Sequence, residues 1–248
     1  MDFTIKKYRN LLEVLKRHQH YRIRHDVDLR PEYSLRVAKV EAEMGMSATY
    51  YFRSMHFESH AEVINAIVAL GHQAGYHYES LTTCKGDMEA AYEDFCQNLE
   101  RLRKIVPVST ACAHGSPRSP YDSQDIWKHH DIHSLGIVYE PMLDTDFSTT
   151  LYLTDTGGRW DGYKVSVRDK VPQYQEQWEH EGLVFHSTDD IIRALVDETH
   201  PIHTKHLLIN THPQRWMPFG PRWMAEAGLQ YWKNIAKRLI VSRQHTTS

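Results

Sequence analysis

The stretch Tyr21-Arg-Ile-Arg-His-Asp-Val-Asp28, followed at once by Leu29-Arg30-Pro31, constrains this chain most. It predicts a strand that runs into two carboxylates, with a helix starting directly behind. Tyr21 and Ile23 are apolar and β-prone, and Pro31 suits a first helical position, where the missing N–H costs nothing. Asp26 and Asp28 are two apart, so both face one side while the strand persists. Carboxylates crowded at the C-terminal end of a strand are costly unless a cation or a proton separates them. A helix-capping aspartate beside a solvated one is the plain reading of a bare pair. The residues further along weigh against it.

Strand and helix patterns alternate along most of the chain. Residues 3–18 place Phe3, Tyr8, Leu11, Leu12 and Leu15 near one helical face. Helices are expected over Pro31–Met44 (stopped by Gly45), from Ser59 to Leu70 (stopped by Gly71), over Asp87–Ile105, from Thr188, and over Arg222–Val241. Strands are expected over Ala48–Phe52, His72–His77, Thr110–His114, Leu151–Thr154, Leu183–His186 and Lys205–His212, with a weaker signal at Gly136–Tyr139. There is no Gly/Ser linker and no internal repeat. This predicts an α/β fold with a mainly parallel sheet in one domain over 1–248, with an N-terminal helix within 1–20 and the remainder from about 21 to 245. Around seven strand–helix pairs in this length suit a closed or nearly closed barrel.

Asp26, Asp28, His77, His114, Asp155 and His212 each fall at an expected C-terminal strand end. In parallel barrels that rim is where sites are built. Composition narrows the chemistry. Twenty-nine basic against 32 acidic residues give a charge of −3, which argues against a nucleic-acid partner. No apolar run reaches the length of a membrane span, the N-terminus has no apolar signal core, and the three cysteines have no C-x-x-C spacing. A cytoplasmic setting is expected. No G-x-S-x-G, G-x-G-x-x-G or P-loop occurs.

One Asp and two His suffice to hold a catalytic metal with a position left for water. A second Asp can then act as general base and a further His as general acid. Asp26, Asp28, His77, His114 and His212 supply that cast, for metal-assisted hydrolysis of an amide or ester. His25 points the other way from Asp26 and is expected in the core. Asp155 and Arg159, in the turn-rich Asp155–Trp160 segment, are candidates to orient the base or contact substrate, and Trp160 could stack on a substrate ring.

The order of these motifs resembles the polysaccharide deacetylases, the NodB-homology group of metal-dependent carbohydrate esterases. Arg24-His-Asp-Val-Asp28 looks like their first motif, T-F-D-D or a variant. Gly71-His-Gln-Ala-Gly-Tyr-His77-Tyr-Glu-Ser-Leu81 is similar to G-H-E-x-G-x-H-x-x-x-H, and Ile209-Asn-Thr-His212 to the final L-x-H. The likeness covers about residues 20 to 215. It implies a distorted (β/α)7 barrel, a divalent metal, most simply Zn²⁺, and removal of an N- or O-acyl group from a sugar. Without an export signal, the sugar is expected to be a small, nucleotide- or carrier-linked precursor of surface polysaccharide. The resemblance makes Asp26 the base, Asp28 and His77 metal ligands and His212 the acid. It departs at Leu81, where the family has its third ligand, and the family's R-P-P-x-G segment would fall at Ala113-His-Gly-Ser-Pro117. His114 is the preferred replacement ligand, with Glu79 the other candidate. Two further readings stay open: hydrolysis of another C–N bond on the same fold, and a member that binds a saccharide or partner without catalysis.

Overall fold

The computed structural model describes residues 2–116, 119–164, 166, 169–221, 223–225 and 228. Contacts group the chain into two compact units, Ile23–Asp146 and Met1–Arg22 with Phe147–Ser248. The α/β class with parallel strands is the one the alternation predicts.

In Ile23–Asp146, β1 (Tyr21–Val27, entering from the other unit), β2 (Thr49–Phe52), β3 (Gln73–Tyr78) and β4 (Ala111–Ala113) are all parallel. The register pairs Asp26 with Tyr51, Tyr51 with Gly75 and His77 with Cys112. The connections are α2 (Pro31–Glu43), α3 (Ala61–Ala69), the single turn α4 (Ser80–Thr83) and α5 (Met88–Arg103). Pro31 opens α2 as expected, after Arg30 turns the chain in the left-handed region at φ 55°. Gly75 is required by close approach: a Cβ there would lie 2.5 Å from the Tyr51 ring.

Period-two alternation gives this sheet two different faces. Tyr76 and Tyr78 pack on Phe95 of α5, at ring separations of 5.1 and 5.2 Å, and both are buried. Burial of such side chains contributes about 1.5–3 kcal/mol each. Also buried, His25 donates to Glu41 of α2 at 2.8 Å, and the Tyr50 hydroxyl donates to the other Glu41 oxygen at 2.6 Å. Arg24, Asp26, Tyr51, His77 and Cys112 lie at the alternate positions.

The other unit holds α1 (Ile5–Leu15), β5 (Thr150–Thr154), α6 (Pro172–His180), α7 (Thr188–Val196) and β6 (His206–Thr211). β5 and β6 are parallel, pairing Thr150 with His206 through Thr154 with Asn210. Thr4 caps α1, whose buried face of Tyr8, Leu11, Leu12 and Leu15 packs toward α7.

Two expected strands are not strands. Gly136–Tyr139 leaves a left-handed turn at Gly136 and forms only one bridge, Thr110 to Tyr139. Leu183–His186 is irregular because its N–H groups serve helix ends. Leu183 N–H closes α6 onto Trp178, while His186 and Ser187 donate to the Asp190 carboxylate in the capping box of α7. The helix expected over Arg222–Val241 lies, apart from residues 223–225 and 228, outside the described residues. Among the described residues no helix is long and apolar enough to cross a membrane, and Cys84, Cys96 and Cys112 form no disulfide.

Candidate metal centre and acid–base groups

Strand ends position the polar residues. Asp26 is the penultimate residue of β1, and Asp28 follows its last. His77 is penultimate in β3, and His114 follows β4. Asp28 Oδ1 stands 3.4 Å from His77 Nε2 and 3.5 Å from His114 Nε2, and the three form a group that could hold a metal ion.

The ring nitrogens on the far side explain the arrangement. His77 Nδ1 is 2.9 Å from the Cys112 carbonyl, which can only accept, so that nitrogen carries the hydrogen. His114 Nδ1 likewise donates to Glu79 Oε2 at 3.0 Å. Each neutral ring therefore presents an Nε2 lone pair to a carboxylate oxygen. In the neutral form those lone pairs repel one another unless a proton or a metal cation lies among them. Two ligands about 2.0–2.1 Å from a tetrahedral centre stand about 3.3–3.4 Å apart, close to the separations found. The donor set fits a divalent metal.

The carboxylates favour positive charge at this point, whether a proton on His77 or a metal ion. Burial pushes the His77 imidazole down, but the Asp26 and Asp28 carboxylates outweigh it and raise its pKa. Glu79 feels the opposite balance. Burial raises it, yet the hydrogen bonds from His114 and Arg53 bring its pKa to about 2. It stays a carboxylate that fixes the His114 ring, and Arg53 Nε holds its other oxygen at 3.1 Å.

A second group, Asp26, His77 and Cys112, also has metal-ligand composition. Arg24 already places a cation there, with Nη1 2.9 Å from Cys112 Sγ and Nη2 3.2 Å from Asp26 Oδ2. Asp26 is thus held by a buried guanidinium. Leu81, at the family's ligand position, is 3% exposed and packs with Ala91 and Ile126, so α4 turns that position into the core.

In the other unit, Asp155 follows β5 and His212 follows β6. His212 Nδ1 is 2.6 Å from Asp155 Oδ1, and Asp155 also accepts from Arg215 Nη1 at 2.7 Å and Trp216 Nε1 at 2.8 Å. Burial pushes the Asp155 carboxyl up, but Arg215 and His212 outweigh it and hold it below the usual range. A charged Asp155 fixes the His212 ring with Nδ1–H toward it. Arg159 pairs with Asp161, through Nη2 to Oδ2 at 2.6 Å. Trp160 is buried, donates to Thr188 Oγ1 at 2.9 Å and packs near Phe3 and Trp216, which gives it a packing place rather than an open stacking face. Pro117 lies outside the described residues.

Sequence reasoning missed Arg24, Arg53 and Arg215. Arg24 had a signal: two residues before Asp26 on a strand is the same face. Arg215, three residues past His212, sits within one short turn of it.

No family model matches the chain, and no curated protein does. Solved structures similar to it include peptidoglycan deacetylase PdaC from Bacillus subtilis (TM-score 0.41, 10% identity, 90% of this chain and 97% of that one). A point mutant of the same protein matches with TM-score 0.39 and 8% identity, over 91% and 97% of the two chains. A mutant of BA3943, described as a CE4 family pseudoenzyme with restored enzymatic activity, matches with TM-score 0.39 and 10% identity over 89% and 64%.

Proposed function

We propose that this chain is a metal-dependent hydrolase that removes an N- or O-acyl group from a sugar. The observation that carries the reading is the convergence of Asp28 Oδ1, His77 Nε2 and His114 Nε2, with both Nδ1 atoms committed elsewhere. Asp28, His77 and His114 would hold a divalent ion, zinc by the nitrogen-rich donor set, which when bound would lower the pKa of water to about 7 and polarise an acyl oxygen. Asp26 is the general base, oriented by Arg24 to take a proton from water. His212 is the general acid, its ring oriented by Asp155 at Nδ1 so that Nε2 is left to serve the leaving amine or alkoxide. Glu79 orients His114. The sugar rests on the motif resemblance.

The test starts from protein purified without chelator. Elemental analysis should find about one zinc per wild-type chain and little in Asp28→Ala or His77→Ala. Asp26→Asn should keep its metal while its turnover of an N-acetylated sugar-nucleotide panel falls by about 10²–10⁴-fold. Full metal in the ligand variants would remove the metal assignment. Metal-replete wild type with no turnover across a broad panel would favour a saccharide-binding role.

A further inference from the structure

We infer that the cavity at the N-terminal ends of β1 and β6 is a second binding site, for a phosphate-type oxyanion carried by a small molecule. Its volume is about 460 Å³, and Arg17, His18, His20, His203, Lys205 and His206 line it, with Glu198 as the one lining carboxylate. Ligand pockets run from about 300 to 1,000 Å³, so this one exceeds what a bare phosphate requires. In a chain of net charge −3, such a concentration of cationic and imidazole groups is a local reversal of sign. From His206 to His212 a strand rises about 20 Å, so the cavity is remote from the His212 end of β6.

The second observation is His18. It is 8% exposed, and Nε2 lies 3.0 Å from the Lys205 carbonyl, so Nε2 carries the hydrogen. Nδ1 is buried with no hydrogen-bond partner among the described residues. A buried ring nitrogen left without a partner calls for an explanation. A metal is a poor one, because among the described residues no three ligand atoms converge in this cavity. The rings instead face each other in pairs, His18 with His203 at 5.6 Å and His20 with His206 at 4.6 Å.

Burial, then the neighbouring His203, His20 and His206, hold the His18 pKa below its ordinary value. Arg17 and Lys205 add positive charge, while Glu198 and Glu181, the latter 3.0 Å from Lys205 Nζ, offset part of it. A bound dianion reverses the balance at His18. The added negative charge across the cavity wall favours the protonated His18 ring, which takes its proton from solvent, with no other bond made or broken. Binding is therefore coupled to proton uptake and strengthens as pH falls.

The experiment is calorimetric titration of the full chain with inorganic phosphate, pyrophosphate and uridine diphosphate at about pH 6 and about pH 8, at constant ionic strength. Binding should be tighter at the lower pH, with proton uptake seen as a dependence of the heat on buffer ionisation. Arg17→Ala, at an exposed position, should weaken it about tenfold. His18→Gln should abolish the pH dependence. Should His18→Gln fail to fold, the His18 ring-proton NMR shift on titration of wild type with phosphate replaces it. Uridine diphosphate bound more tightly than pyrophosphate would identify an organic phosphate as the source, and equal affinity a free anion. The inference is overturned by no saturable binding, by a site that chloride fills equally well, by wild-type affinity in Arg17→Ala, or by an unmoved His18 resonance.

Discussion

The residue behind His114 offers the sharpest test of the metal centre. Glu79 touches no candidate ligand atom; it grips the far nitrogen of the ring at 3.0 Å and is itself gripped by Arg53. Removing it should leave His114 free to rotate and less basic at Nε2. Loss of such a supporting carboxylate weakens metal binding about 10–100-fold, or about 1.4–2.7 kcal/mol. Glu79→Gln keeps an acceptor and loses the charge, so it belongs near the lower figure, and Glu79→Ala near the upper one. Competition against a zinc-chelating indicator at neutral pH reads both. A companion measurement follows from the carboxyl pKa of about 2. A depressed carboxyl contributes stability that is complete above its unfolded value near 4.5 and is lost as pH falls toward about 2. The urea-midpoint gap between wild type and Glu79→Gln should therefore be widest near neutrality and close as pH falls through that window. Unchanged zinc affinity in a well-folded Glu79→Ala protein would refute the reasoning, because His114 would then need no support or not be a ligand.

Asp155→Asn should destabilise the fold by about 3–5 kcal/mol in denaturant melts, since it strips the buried counter-charge from Arg215 and an acceptor from Trp216. Turnover should fall with it, through loss of the His212 orientation. Leu81→His restores the family's residue but should not raise zinc affinity, because position 81 points among Ala91 and Ile126. It should lower the melting temperature by burying an imidazole; tighter zinc binding would show that α4 can turn outward.

Much of this arrangement was legible in the sequence where it depends on local chemistry. Pro31 and the period-two run of β1 located the strand–helix junction, and each rim residue falls within one position of its strand end. Partnerships across the sheet were not legible. That His77 Nδ1 meets the Cys112 carbonyl follows from the β3–β4 register, which couples residues 35 apart. Leu183–His186 looked like a buried strand because Leu183 and Phe185 are indeed buried, yet its backbone hydrogen bonds belong to two helix ends. The turn α4, only four residues long, left no periodic signal, though it decides that Leu81 faces inward.

The buried Glu41 carboxylate has a consequence for how β1 finds its place. Residues on this strand alternate between two exacting environments: His25 must meet Glu41, while Arg24 and Asp26 must meet Cys112 and each other. A slip of one residue would put Asp26 against Glu41 and turn His25 toward Cys112, setting carboxylate on carboxylate in a dry interior. A sheet pinned by aliphatic contacts on one side would tolerate mispairing more cheaply. Here the polar pairs act as a parity check on strand alignment, rejecting an out-of-step β1 before the residues at its end could be assembled.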